Sequence, residues 1–127
     1  MGGRRILRED GGSVTIEFFL VVPLLIVVLA AGVQVISIAR ARIELLGAVR
    51  EGARVAATTP DPAKAVEAVR AAMPPSERDR VRISVSRPAI VGRPARVTAN
   101  YRHMLAVPWI GDLGVELSAT AAMLVER

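Results

Sequence analysis

The longest apolar segment of the chain, FFLVVPLLIVVLAAGVQVISIA, covers residues 18–39 and carries no formal charge. As a helix rising about 1.5 Å per residue it would extend roughly 33 Å, and the hydrocarbon core of a bilayer is about 30 Å thick. Arg40 and Arg42 end the segment with side chains long enough to reach lipid headgroups. A chain of 127 residues is too short to cover such a helix on all sides. The pattern therefore predicts a transmembrane helix rather than a buried core helix.

A helical pattern continues beyond the apolar segment. No helix breaker follows Arg40 until Thr58, which predicts one long helix over residues 14–57 with a kink at Pro23. Apolar residues in its second half recur at spacings of three or four. They predict one inner stripe, made of Ile43, Leu46, Val49, Ala53 and Ala56.

A second, shorter helix is predicted after residue 60. Asp61 is suited to its N-cap, Pro62 to its first position, and Pro74-Pro75 to its end. Its predicted inner face consists of Val66, Val69 and Met73.

Three later segments alternate between apolar and polar residues, over residues 80–87, 95–103 and 115–126. Strict alternation is typical of half-buried antiparallel strands. The segments PAIVGRP and HMLAVPWIGDLG are predicted to connect them. The predicted fold class is α+β: a long N-terminal transmembrane helix that continues into a small domain with a second short helix and a three-stranded antiparallel sheet.

Composition excludes several classes of function. The chain has no cysteine, which excludes disulfide scaffolds, thiolate metal sites and cysteine nucleophiles. His103 is the only histidine, and neither a phosphate-binding loop nor a zinc-protease or nucleophile-elbow motif occurs. We therefore predict no enzyme activity, no cofactor, no metal site and no small-molecule substrate. His103 is expected to be a packed or edge-strand residue.

The chain has a net charge of +5, and several of its arginines lie on the polar face of the predicted sheet. Arg82, Arg96 and Arg102 collect there and form a candidate face for an anionic partner such as DNA or a surface polymer, bound through salt-dependent contacts. A solvated face is favoured, because Glu116 shares it and no aromatic residue interleaves the arginines, so a nucleic-acid partner is not expected. Trp109 lies in a predicted loop, where it either binds a partner or covers the sheet edge.

The most specific motif lies immediately before the apolar segment. A short charged leader ends in the glycines of REDGG, residues 8–12, and SVTIEFF follows. Glu17 is thus a lone carboxylate five residues beyond Gly12, at the start of a hydrophobic helix. This junction resembles the processing site of type IV prepilin-like proteins. The Gly-x-x-x-x-Glu-aromatic pattern is similar to the Flp/Tad pilus group and, within it, to TadE-like minor pilins or pseudopilins.

The resemblance implies that a membrane-embedded prepilin peptidase cuts between Gly12 and Ser13 on the cytoplasmic side. Glu17 and Phe18 would then serve assembly and helix register, with other pilin subunits, Tad assembly proteins and the membrane as partners. The implied organisation is a leader over 1–12, a transmembrane and assembly helix over 13–39, and an extracytoplasmic domain over 40–127. The expected location is the bacterial cytoplasmic membrane, with a cytoplasmic N-terminus and incorporation into a pilus.

Two features depart from the pattern of major Flp pilins. Phe18 stands where tyrosine would be typical, and the region after the anchor is much larger than in those very short proteins. Both departures favour a minor component. The alternative from the same sequence is an uncut, signal-anchored envelope protein that presents its arginine face to DNA or a surface polymer.

Overall fold

The computed structural model describes residues 10–126, and most of the predicted leader, residues 1–9, lies outside the described part. The fold is α+β, as predicted. The chain divides into two compact units, of which the first ends at Ile36 and the second begins at Ser37. The elements, in chain order, are α1 (Asp10–Thr58), α2 (Pro62–Ala72), a 3-10 turn (Arg78–Arg80), β1 (Arg82–Ser86), β2 (Pro94–Val107) and β3 (Gly111–Leu124).

The first unit consists of the N-terminal part of α1. Within the described residues, α1 is the one helix long and apolar enough to cross a membrane. Its large apolar side chains are exposed along the whole length of this unit, from Val14 to Ile36. Pro23 lies inside the helix, and the kink predicted there stays a prediction. Such an exposed apolar surface needs an apolar environment, which a bilayer or neighbouring apolar helices supply.

In the second unit, one side of α1 packs against the sheet, and most of the buried residues on that side are alanines. Leu45 and Val49 are fully buried on the same side, whereas Ile43 is 72% exposed. The predicted stripe was therefore confirmed at Val49, Ala53 and Ala56, half-buried at Leu46 and wrong at Ile43. Alanine side chains let helix and sheet approach closely, so the sheet packs on the alanine-rich side of the helix. The buried residues of α1 are Ala41, Leu45, Ala48, Val49, Gly52, Ala53, Ala56 and Ala57.

The predicted second helix is confirmed as α2. The Asp61 carboxylate accepts a 2.9 Å hydrogen bond from the Ala63 amide, and Pro62 occupies the first turn, where no intrahelical donor is needed. Ala65 and Val69 are its buried residues, with Met73 buried just beyond its end. Val66, predicted for the inner face, is only half-buried.

β2 is the central strand of the three-stranded antiparallel sheet. β1 pairs only with residues 96–100 of β2, whereas β3 pairs with the whole of it. The predicted connection over residues 103–114 was wrong for most of its length, because β2 continues to Val107 and β3 begins at Gly111. The reason is that backbone pairing along the hairpin extends regular strand structure into a segment whose side chains do not alternate.

The core lies between the second half of α1, α2 and one face of the sheet. Alternate residues of β2 face it, from Ala95 through Val97 and Ala99 to Tyr101, as the period-two pattern predicted. The C-terminal end of α1 is hydrogen-bonded to residues that follow β1 and β3. Arg87 Nε donates to the Ala56 carbonyl at 2.7 Å, and the Glu126 amide donates to the Ala57 carbonyl at 3.0 Å. These bonds satisfy carbonyls that a helix end leaves free, and the Arg87 cation also suits the negative end of the helix dipole.

Candidate functional site

The junction residues lie inside the first turns of α1. Gly12 and Ser13 are both helical and exposed, and a Cβ built on Gly12 meets no heavy atom within 4 Å. The exposed peptide between them is therefore accessible, but it is held in a helix. Glycine lowers the stability of a helix by about 1 kcal/mol relative to alanine, so Gly12 weakens α1 at this point.

Glu17 lies one turn farther along the same helix. It is four residues from Ser13, a spacing that puts two side chains on one helix face. Glu17 and Phe18 are exposed, Phe18 by 68%. The ion pairs of the described chain lie elsewhere on α1, between Arg40 and Glu44 and between Arg54 and Glu51. Within residues 10–126, Glu17 is exposed and belongs to neither of these two ion pairs.

The candidate arginine face is less compact than the sequence suggested. Arg82, Arg96 and Arg102 are exposed on the same side of the sheet. Arg82 pairs in register with Asn100, next to Arg102, so these two arginines share one end of the face. Arg96 lies four residues from Asn100 along β2, about 13 Å away at the usual strand rise.

Acidic and steric features constrain Arg102 further. Glu116 is its register partner on β3, so the positive charge faces a carboxylate directly across the strands. A Cβ on Gly114 would collide with the Arg102 guanidinium, which shows that this side chain lies across β3 over the glycine. The structure thus brings together Arg82, Arg102 and Glu116, a mixed-charge group, and leaves Arg96 apart.

A polar cluster that the sequence did not reveal joins α1 to β2. His103 Nε2 lies 3.0 Å from Ser37 Oγ, and its Nδ1 lies 3.3 Å from the Tyr101 hydroxyl. The Tyr101 and His103 rings are tilted by 60° with centroids 5.9 Å apart. His103 is therefore a packed, hydrogen-bonded strand residue, as expected, and the described residues contain no group of three or more metal-ligating side chains.

Glu77 extends this cluster from the segment before the 3-10 turn. Burial raises the pKa of Tyr101 to about 12, and a hydrogen bond and the negative charge of Glu77 act in the same direction. The Oε2 atom of Glu77 is buried without a hydrogen-bond partner among the described residues. No sequence signal connects Ser37, Glu77 and His103, because they come from three segments that only the packing brings together.

Comparison with known proteins bears on the helix that carries the junction. Residues 12–54 match the family model for TadE-like protein. This match confirms the resemblance to the TadE-like family, which is part of the Flp/Tad pilus system. Comparisons with curated proteins and with solved structures gave no match.

The TadE-like match covers about a third of the chain and lies entirely on α1. It includes Gly12, Ser13, Glu17 and Phe18, and it continues into the helical part of the second unit. The match relates the chain to the Tad pilus through its N-terminal apolar helix. It does not extend to α2 or to the sheet.

Proposed function

We propose that this chain is a minor pilin or pseudopilin of a Flp/Tad-type pilus or secretion apparatus, without catalytic activity of its own. A prepilin peptidase removes residues 1–12, and the helix that starts at Ser13 enters the assembly. The observation that supports this most strongly is the coincidence of the TadE-like match with the motif of Gly12 and Glu17 at the start of an exposed apolar helix.

The position of Gly12 suits it to proteolysis. A peptidase needs an extended backbone at the cut, so the helix must unwind locally at Gly12 and Ser13. Helix ends fray readily, and glycine lowers the local helix stability by about 1 kcal/mol relative to alanine. Gly12 lies two residues after the first described residue of α1, so it lowers the free-energy cost of unwinding the helix locally.

Glu17 acquires its role after the cut. The new Ser13 amine carries a positive charge one helical turn from the Glu17 carboxylate. In an assembly of packed helices a carboxylate needs a cation, and the amine of a neighbouring subunit supplies one. A buried ion pair adds little net stability, but an unpaired member costs about 3–5 kcal/mol. The pair therefore selects one register between neighbouring helices.

Mass analysis of the N-terminus tests the proposal. The protein is isolated from membranes of its host with and without an active prepilin peptidase. We expect a Ser13 N-terminus only when the peptidase is active. An intact Met1 terminus in both membranes would contradict the proposal and favour the signal-anchored alternative. A terminus near Gly32 would also contradict it and would indicate cleavage of an ordinary secretory signal among the small residues there.

Two matched glycine variants separate recognition from folding. A Cβ at Gly12 or at Gly32 meets nothing within 4 Å, so alanine fits at both positions. We expect Gly12→Ala to impair cleavage and Gly32→Ala to leave the Ser13 terminus unchanged. Equal cleavage of the two variants would show that Gly12 is not recognised.

A further inference from the structure

Three arginines line one cleft at the end of the sheet where β1 begins. Arg80 belongs to the 3-10 turn, Arg82 to β1 and Arg102 to β2. The cleft has a volume of about 280 Å³, and all of its lining residues belong to the second unit. We call this surface the arginine cleft. Besides the arginines, its lining consists of Asn100, Tyr101 and Glu116.

Strand register explains why these side chains meet. Arg82 pairs with Asn100, so Arg102 lies diagonally across from Arg82 on the same face of the sheet. Such diagonal neighbours lie about 7–8 Å apart, within reach of long side chains. Arg80 comes two residues before Arg82 and reaches the cleft from beyond the end of β1. The fold therefore holds three positive charges close together, where they repel one another.

The arginine side chains of the cleft are not used by the fold. Elsewhere in the unit, Arg87 Nε donates to the Ala56 carbonyl at 2.7 Å and thereby holds two elements together. Within the described part of the second unit, no side-chain hydrogen bond or ion pair of this kind involves the three cleft arginines. Glu116 is the register partner of Arg102, yet the two form no ion pair, and the Arg102 guanidinium lies over Gly114 instead. The guanidinium donors are thus available to a ligand.

The charges of the cleft indicate which ligand would neutralise it. Three arginines and one glutamate give it a net charge of +2. A phosphate monoester carries a charge of about −1.5 to −2 near pH 7 and presents three acceptor oxygens. A carboxylate or a phosphodiester carries a single negative charge and would leave the cleft positive. Because the planar guanidinium binds phosphoryl oxygens through two parallel hydrogen bonds, the arginines suit such a dianion in both charge and geometry.

The two other polar side chains of the cleft suit a ligand with hydroxyl groups. Asn100 is half-buried, and its amide can both donate and accept hydrogen bonds. The exposed Glu116 carboxylate can only accept them. A sugar hydroxyl beside the phosphate would supply the donor that Glu116 needs. The same carboxylate repels a second anionic group, which disfavours a polyanion such as DNA.

We propose that the arginine cleft binds a phosphate monoester carried by a hydroxylated compound, such as a sugar phosphate. Arg82 and Arg102 donate to the phosphoryl oxygens from neighbouring strands, and Arg80 adds a third positive charge. Asn100 and Glu116 bind the adjoining hydroxyl groups. This inference requires neither cleavage of the leader nor a role in a pilus, so its failure would leave the proposed function unchanged.

Isothermal titration calorimetry of the full chain in a nonionic detergent tests the proposal, with glucose 6-phosphate as the probe. We expect saturable binding of one molecule per chain. Arg82→Gln and Arg102→Gln should each weaken it about tenfold or more, because each removes a charge-assisted hydrogen bond. Glucuronate, a sugar with one carboxylate, should bind about tenfold more weakly than glucose 6-phosphate. No saturable binding, or equal affinity for the two sugars, would overturn the proposal.

Arg96→Gln is the matched control. Arg96 is exposed on the same side of the sheet, about 13 Å from Asn100, and does not line the cleft. We expect this variant to bind glucose 6-phosphate like the unchanged chain, and circular dichroism verifies that all three variants fold. Equal weakening by Arg96→Gln and Arg82→Gln would overturn the proposal, because it would indicate general attraction by a positive surface. Tighter binding of duplex DNA than of glucose 6-phosphate would also overturn it and indicate a face for polyanions.

Discussion

Ser37 Oγ on α1 and His103 Nε2 on β2 lie 3.0 Å apart, although 66 residues separate them in the chain. Ser37 lies near the C-terminal end of the apolar segment, where polar residues appear. His103 lies on β2, three residues beyond Asn100, the last residue of β2 that pairs with β1. This hydrogen bond ties α1 to β2 within the second unit. It adds a polar contact between α1 and β2 to the apolar contacts of the core, to which Leu45 and Val49 belong.

Ser37→Ala should destabilise the second unit. The half-buried His103 loses one partner, and an intramolecular hydrogen bond of this type contributes about 0.5–1.5 kcal/mol. Denaturant unfolding of the full chain in detergent, followed by circular dichroism, measures the change. Ser118→Ala, at an exposed sheet position, is the matched control and should be close to neutral. Equal effects of the two variants would show that the Ser37–His103 bond does not contribute.

Two glycines of α1 should respond oppositely to alanine. A Cβ at Gly52 collides with Val69 and lies 3.2 Å from the Ala65 carbonyl, whereas a Cβ at Gly47 meets nothing within 4 Å. Gly47→Ala should therefore stabilise the protein by up to about 1 kcal/mol through helix propensity. Gly52→Ala should destabilise it by about 1–3 kcal/mol through overpacking between α1 and α2. Thermal unfolding compares them, and the same sign for both would contradict this packing.

Tyr101 should make stability depend on alkaline pH. Its pKa in the folded protein is about 12, above the value of about 10 expected in the unfolded chain. The folded state therefore favours the protonated phenol. The resulting stability is fully present below about pH 10 and is lost as the pH rises toward 12.

Absorbance at the phenolate band reports this titration, because Tyr101 is the only tyrosine. We expect a midpoint near pH 12 in the folded protein and near pH 10 in denaturant. Glu77→Gln should lower the folded midpoint, since it removes a negative charge that disfavours the phenolate. An unchanged midpoint in that variant would mean that burial alone sets the pKa of Tyr101.

Glu17→Ala should separate processing from assembly. The helix and the Gly12–Ser13 peptide remain, so we expect cleavage to persist. Co-purification with pilus components should be lost, because the neighbouring amine is left unpaired at a cost of about 3–5 kcal/mol when buried. Glu67→Ala, an exposed position of α2, is the control and should assemble normally. Normal assembly of the Glu17 variant would show that this carboxylate does not set the register.

Local sequence patterns predicted most of the secondary structure. The N-cap Asp61 and first-turn Pro62 placed α2, and the alternation around Val97 and Ala99 placed β2 and its buried face. These predictions succeeded because capping and side-chain alternation depend on residues close in sequence. The same patterns wrongly placed Ile43 on the buried side of α1 and predicted a hairpin that was too short. When a helix carries two overlapping apolar stripes, or when the side chains of a strand do not alternate, the buried side is decided only by the elements that pack against it.

The sequence by itself determined the apolar helix, the glycine and glutamate at its start, and therefore the resemblance to TadE-like proteins. These features are local, and their chemistry follows from residue order alone. The tertiary structure decided which residues of α1 face the sheet, that Ser37 meets His103, that Glu116 opposes Arg102, and that Trp109 lies at the outer end of a long hairpin. Such relationships join residues far apart in the chain, and only strand register and the close packing of alanine-lined surfaces fix them.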